Sequence, residues 1–388
     1  MNRSFAFLAA VPLLNAAPPA RFIEHTIATD LKGGYQVVAA DLNHDGKPDL
    51  IALASGMNEL VWFENPTWER HVLATNVSHM INCAPIEGRD GIPDLVLASE
   101  FSMQAKNSVG LVTVLRHNGD PRQPWTATEI DRIPTAHRLR TADIDGSGKP
   151  VVINATLTGA EAEAPDYRGR TPLVFYRPGE WKRQLISDEN TGVVHCIYVV
   201  DWDGDGRDEI LTAGFNGIFL FKLEKNGRWT RTEIAQGDPA PWPKSGSSDV
   251  AVGHLGKQRF LTAIEPWHGH EVAIYRQEQN QWKRQVIDSS LVDGHTIVTA
   301  DLNGDGADEV IAGFRGQGRS VYIYSAGDAE GRKWTRTTLD NGGIGAAACA
   351  VADLNGDGRP DIACIGQPTT NLKWYENVGA GEAGIPAR

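Results

Sequence analysis

Asp353-Leu-Asn355-Gly-Asp357-Gly-Arg359-Pro-Asp361 decides the reading of this chain, because it recurs. It returns as Asp41-Leu-Asn43-His-Asp45-Gly-Lys47-Pro-Asp49, as Asp201-Trp-Asp203-Gly-Asp205-Gly-Arg207-Asp-Glu209, and as Asp301-Leu-Asn303-Gly-Asp305-Gly-Ala307-Asp-Glu309. Oxygen donors at alternate positions followed by Gly suit a hard cation such as calcium, with a backbone carbonyl offered at position 7. A helix–loop–helix calcium site would put Glu at position 12; Ala52, Thr212, Ala312 and Cys364 stand there instead. The flanks read as strands, Val37-Val-Ala-Ala before the first loop and Leu50-Ile-Ala-Leu after it. The motif is thus a turn inside a β-hairpin. Asp143, Asp145 and Ser147 keep part of the pattern, while Glu87–Gly91 and His254–Gln258 lack most of it.

Each hairpin leads to an aromatic strand such as Leu60-Val-Trp-Phe-Glu64, and then to a strand opened by Trp, such as Trp68-Glu-Arg-His-Val72. The aromatic strand occurs seven times. The Trp-led strand occurs at Trp68, Trp125, Trp181, Trp229, Trp282 and Trp334; its seventh copy, Phe22–Ile27, precedes the first loop. A repeat of this length means a propeller or a solenoid. The permuted seventh copy predicts an all-β, seven-bladed propeller of four-stranded antiparallel blades. Its last blade is closed by the N-terminal strand, which protects the sheet edges. The Trp residues are expected to pack between blades.

Composition agrees. The 388 residues carry 41 Gly and 21 Pro, which suits many short strands joined by turns. A formal net charge of -12 argues against nucleic acid as a partner. Arg3, the apolar run Phe5–Leu14 and Asn15-Ala-Ala17 predict a signal peptide over residues 1–18, hence a secreted or periplasmic protein. The propeller is expected over residues 20–380, followed by a tail at 381–388. That apolar run is too short to span a membrane. Cys349 and Cys364 flank the last loop and can face each other across the hairpin, but buried free thiols are the expectation for all four cysteines.

Counting back from the loops exposes a second recurrence. His137, His195 and His295 each lie six residues before a loop Asp, and Tyr35 lies six before Asp41. His79 is placed at the corresponding point of the second repeat, and Ser248 and Ala347 fill the remaining two. In a propeller blade the first strand lines the axis. Its start lies on the face opposite the Asp loops, so equivalent positions converge at one mouth of the channel. Connections carrying Arg168, Arg170, Arg315, Trp267, Glu265, His268 and His270 open onto the same mouth. Arg138 and Arg140 flank one His and read equally well as packing or blade-to-blade ion pairs.

The Asp-rich repeats resemble the FG-GAP/VCBS repeats of integrin-like propellers over roughly residues 21–378. The layout, with His before several inner strands, also looks like the propellers of the aldos-2-ulose dehydratase family and of a rhamnose–glucuronate lyase. That resemblance implies elimination across a sugar C–O bond. Two chemistries suit the histidines, and both can operate together. Neutral imidazoles can hold a transition metal such as zinc or manganese. One imidazole can also abstract the proton α to a carbonyl while Tyr35 or a second His protonates the leaving oxygen. Arg168, Arg170 or Arg315 would neutralise a carboxylate. The expected function is a carbon–oxygen lyase or dehydratase acting on a sugar or uronic-acid-containing glycan. The alternative is a non-catalytic, carbohydrate- or protein-binding propeller that uses Trp267, and a hydrolase or isomerase is a third reading. The expected calcium ligands are Asp41, Asn43, Asp45, Lys47 and Asp49; Asp143, Asp145 and Ser147; Asp201, Asp203, Asp205, Arg207 and Glu209; Asp301, Asn303, Asp305, Ala307 and Glu309; and Asp353, Asn355, Asp357, Arg359 and Asp361. The oligomeric state is not readable.

Overall fold

A computed structural model describes residues 18–380. Nearly all of the expected signal segment, and the tail at 381–388, lie outside those residues. The described chain forms seven antiparallel sheets of four strands each. Their first strands are Gly34–Ala40, Asn82–Ile86, Ala136–Ala142, Val194–Val200, Asp249–Leu255, Gly294–Ala300 and Ala346–Ala352, which head blades 1 to 7. These strands pack against one another in a closed cycle and line the axis. The only helical turn among the described residues is Ala105–Asn107. Among the described residues no helix is long and apolar enough to cross a membrane.

In six of the seven blades the second strand, such as Asp49–Ala54 or Glu309–Phe314, is buried at every position. Both of its faces meet a neighbouring blade, which is why it reads as a continuous small and apolar run rather than an alternating one. Leu42, Ile51, Leu53 and Trp62 of blade 1 pack with Cys83, Leu95 and Leu97 of blade 2, and equivalent clusters fill the other interfaces. The Trp-led strands contribute to these interfaces. Trp68 meets Trp374 with ring centroids 5.6 Å apart, Trp229 meets Phe175 at 6.2 Å, and Trp334 meets Phe260 at 5.4 Å.

Ala20–Ala28 pairs with Leu372–Ala380, so the seventh sheet draws on both ends of the described chain. Lys373 fastens the joint, with Nζ 2.8 Å from Glu24 of the closing strand and 2.8 Å from Asp340 of blade 6. The cysteine expectation needs correcting. Cys349 and Cys364 are directly paired in register and joined by a disulfide, whereas Cys83 and Cys196 are buried free thiols. Equal spacing on either side of the last loop sets the two residues opposite each other.

The Asp loops close by side-chain-to-backbone hydrogen bonds. Asp353 accepts from the N–H groups of Gly356, Asp357 and Gly358, and Asp301 accepts from Gly304, Asp305 and Gly306. Position 9 turns inward. Asp49, Glu209, Glu309 and Asp361 each accept the N–H of the second loop residue: Leu42, Trp202, Leu302 and Leu354, respectively. Blade 4 differs from the rest. The Lys222 ammonium lies 3.1 Å from Asp205 and 2.9 Å from Glu209, and also contacts Asp203.

Candidate functional site

The mouth opposite the Asp loops is built by β-bulges. In five blades the register between first and second strands slips at one residue: Tyr35, His137, His195, His295 and Ala347. A bulge leaves its extra residue unpaired and re-aims its side chain. Here the three bulged histidines and Tyr35 are brought together around the axis. His195 and His295 have ring centroids 5.0 Å apart, His137 and His195 are 5.1 Å apart, and Tyr35 stands edge-on to His295 at 5.2 Å. His268 reaches in from the loop that follows Glu265, with centroids 4.9 Å from His195 and 5.0 Å from His295.

Hydrogen bonds fix these rings. His195 Nδ1 lies 3.0 Å from the Ser248 carbonyl, and His295 Nδ1 lies 2.6 Å from the Ala347 carbonyl. Each ring therefore donates Nδ1–H to the equivalent position of the next blade and turns its Nε2 lone pair toward the axis. His295 Nε2 is buried and has no partner. His268 Nε2 is 3.2 Å from His195 Nε2, and Ser248 Oγ accepts the His268 N–H at 3.1 Å. The Tyr35 hydroxyl is 3.0 Å from His137 Nε2. Burial drives the imidazoles of His137, His195 and His295 well below the ordinary histidine range, and the Arg138 or Arg315 charge adds to the effect. Burial and the neighbouring Arg315 push His268 down to about 3. Neutral imidazoles are the form that binds metal or accepts a proton. One nitrogen from each of His195, His268 and His295 falls within 4.8 Å of the others, so this triad can hold a metal ion.

Other expected site residues lie elsewhere. His79 is exposed; the ring position of blade 2 belongs to Ile81, whose N–H pairs with Ala98. The connection between the first two strands is one residue shorter in blade 2 than in blade 1, and His79 takes the left-handed turn two residues ahead of the ring position. Gly33, Thr135 and Asp293 occupy that turn in blades 1, 3 and 6. His270 is exposed beside Glu271. Glu265 is fully buried and bonded to Ser247, Tyr275 and Arg284, so it braces blade 5 rather than facing the mouth. Arg168 and Arg170 are exposed and paired with Asp166 and Asp188. Arg315 does reach the cluster, 3.3 Å from His268 Nδ1, while bound by Asp293 at 2.8 Å. Trp267 packs on His268 at 4.7 Å and on Tyr167 and Phe215.

Sequence reasoning left Arg138 undecided and did not single out Asp293. Arg138 lies among the histidines, with one guanidinium nitrogen 3.3 Å from His137 Nε2 and another 3.4 Å from His195 Nε2. Adjacency to a ring position was the available signal for Arg138. Asp293 had none, since its role depends on Arg315, which the next connection of the same blade folds back onto it.

Comparison with known proteins agrees with this architecture. Residues 109–278 match the sequence model of the aldos-2-ulose dehydratase β-propeller domain, and residues 301–364 and 33–58 match FG-GAP repeat models. The chain is 25% identical over 319 residues to the aldos-2-ulose dehydratase of Phanerodontia chrysosporium, covering 71% of this chain and 34% of that protein. It therefore spans about a third of that curated relative. Among solved structures, BBS1N in complex with ARL6DN aligns with TM-score 0.57 and 12% identity, covering 94% of this chain and 99% of that one. An Agrocybe aegerita lectin that recognises non-reducing terminal N-acetylglucosamine aligns with TM-score 0.53 and 14% identity, covering 89% and 86%. At such identities these two share the fold alone.

Proposed function

We propose that this propeller is a carbon–oxygen lyase or dehydratase that eliminates across a sugar C–O bond at the histidine mouth. The observation that carries the reading is the set of converging neutral imidazoles, two of them oriented by backbone carbonyls of the following blades. The likeness to a dehydratase propeller domain supports a carbohydrate substrate.

His195, His268 and His295 would hold a transition metal such as zinc or manganese, and the unpartnered His295 Nε2 fits that role. Bound there, the metal would supply Lewis acidity toward a carbonyl or carboxylate oxygen of the sugar. The chain's own groups do the proton work. A neutral His137 takes the proton α to the carbonyl, and the electron pair forms the new C=C bond as the β C–O bond breaks. The Tyr35 hydroxyl, 3.0 Å from His137, gives its proton to the departing oxygen. Arg315, steadied by Asp293, faces the developing negative charge. We further propose calcium in the Asp41, Asp301 and Asp353 loops and export of the protein from the cytoplasm.

The test is elimination from oxidised sugars and uronosides, followed by absorbance of the unsaturated product. Tyr35→Phe and His137→Ala should each lower the rate by roughly 100-fold or more, the usual share of positioned acid–base groups, with small changes in melting temperature. Full activity in both variants would overturn the mechanism. Glycan binding without turnover in the wild type, lost in Trp267→Ala, would establish the binding-protein alternative.

A further inference from the structure

In five of the seven blades the residue after the ring position fastens one blade to the next; in blade 7 that residue is Ala348, which has no polar group to offer. Gln36 exchanges hydrogen bonds with Cys83, donating to its carbonyl at 3.1 Å and accepting its N–H at 2.6 Å. Asn82 accepts the Leu139 N–H at 2.8 Å, Asp249 accepts the Ile297 N–H at 3.2 Å, and Thr296 accepts the Cys349 N–H at 3.0 Å. Cys196 donates to the Val250 carbonyl at 3.8 Å. In each case the partner lies two residues after the ring position of the following blade. The clamp is a repeated structural device.

Blade 3 breaks the device, because Arg138 stands at its clamp position. Among the described residues its hydrogen-bond contacts are the two imidazoles, at 3.3 and 3.4 Å, and its guanidinium lies 5.3 Å from the centre of the Tyr35 ring. Arg138 is only 7% exposed, yet no carboxylate of the described residues comes within the 4.0 Å of an ion pair. Asp249, which shares the axial cavity, spends its carboxylate on the Ile297 and Val250 N–H groups. Arg315 is different, since Asp293 already balances its charge. A guanidinium offers five donors in a planar fork that matches a carboxylate. Two long contacts to neutral rings leave most of that capacity unused, and the Asp249 carboxylate acts on the guanidinium only from a distance, without pairing with it. Arg138 also lines, with Tyr35 and His295, an axial cavity of about 230 Å³.

We infer that Arg138 is a specificity-determining residue that receives a carboxylate of the ligand, so that the sugar taken at this mouth is an acidic one, a uronate, rather than a neutral sugar. The inference deepens the proposed sugar site and rests on it, but it needs no turnover. Calorimetric titration of the calcium-loaded full chain with D-glucuronate and with D-glucose tests it. Glucuronate should bind at least about ten-fold more tightly, the effect expected of one charge-assisted hydrogen-bonded pair. Arg138→Gln should erase that preference while leaving the weak glucose affinity unchanged, and Arg138→Lys should retain part of it. Arg170→Gln, which changes an exposed arginine paired with Asp188, should keep the preference. Equal affinity for the two sugars, binding of neither at millimolar concentration, or a preference that survives in Arg138→Gln would overturn the inference. If Arg138→Gln does not fold, an undiminished preference in Arg138→Lys would do so, because an ammonium lacks the planar fork. A chain that binds glucuronate through Arg138 but eliminates nothing would sink the lyase proposal and leave this one standing.

Discussion

Replacing His295 by Gln isolates the metal-binding capacity of the mouth. Its Nε2 is buried and unpartnered, while Nδ1–H is committed to the Ala347 carbonyl. Losing that hydrogen bond should cost about 0.5–1.5 kcal/mol before any metal is added. Metal present at a hundred times its dissociation constant adds about 2.7 kcal/mol to the folded state. Unfolding entropy of about 2.1 cal/mol/K per residue, over roughly 360 residues, is near 0.75 kcal/mol/K. The wild type should therefore gain roughly 3–4 °C in melting temperature on saturation, and His295→Gln should start about 1–2 °C lower and gain little. Scanning calorimetry with zinc and, separately, with manganese measures both shifts, with calcium held saturating so that the Asp loops do not change state. An equal metal-induced rise in the wild type, His295→Gln and His195→Gln would place the metal elsewhere and refute the triad.

Deleting the closing strand through Ala28 should lower the melting temperature by several degrees in a thermal scan, because it removes the partner of Leu372–Ala380 and frees Lys373 from Glu24; an unchanged transition would contradict a load on that joint. Chelating calcium should lower the transition of the wild type, and Asp353→Ala should reduce that response by the share of one loop, since a ligand that prefers the folded state stabilises it. Lys222→Met should cost roughly 1–3 kcal/mol in chelator, because Glu209 is buried and loses its cation, and calcium should restore more stability to this variant than to the wild type; equal responses in the two proteins would show that the ammonium is not a substitute for an ion. Against the cost of burial, Lys373 and Tyr375 hold the Asp340 carboxyl below its usual range. Its contribution is therefore present above the unfolded carboxylate value near 3.8 and is lost as pH falls below it, so Asp340→Asn should flatten the acid limb of the stability profile.

What could be read from the sequence follows from what repeats. Loop Asp residues, aromatic strands and Trp-led strands recur with little insertion, so blade number and the permuted closing strand were legible. The same counting placed Tyr35, His137, His195 and His295, because each lies a fixed distance from an intact loop. It failed at His79, where the loop had lost its landmarks and one residue of length. It also failed for Glu265 and the two exposed arginines, since loop membership does not reveal which way a side chain turns. Arg138 shows a different limit. Its significance appears only when most of its counterparts at the same register are seen to bond the backbone of the next blade, while its own contact there is an imidazole.

The carbonyls that orient His195 and His295 come from the blade that follows each of them, so these two rings are fixed in a set order along the chain. His195 is finished only when blade 5 presents Ser248, and His295 only when blade 7 presents Ala347. Blade 7 in turn draws its outer strand from Ala20–Ala28, the first strand of the described chain. A chain emerging with its N-terminus first would carry every imidazole of the triad well before the last acceptor existed to hold His295 in place. The mouth thus reports on assembly, reaching its final geometry only once the two ends of the ring have met.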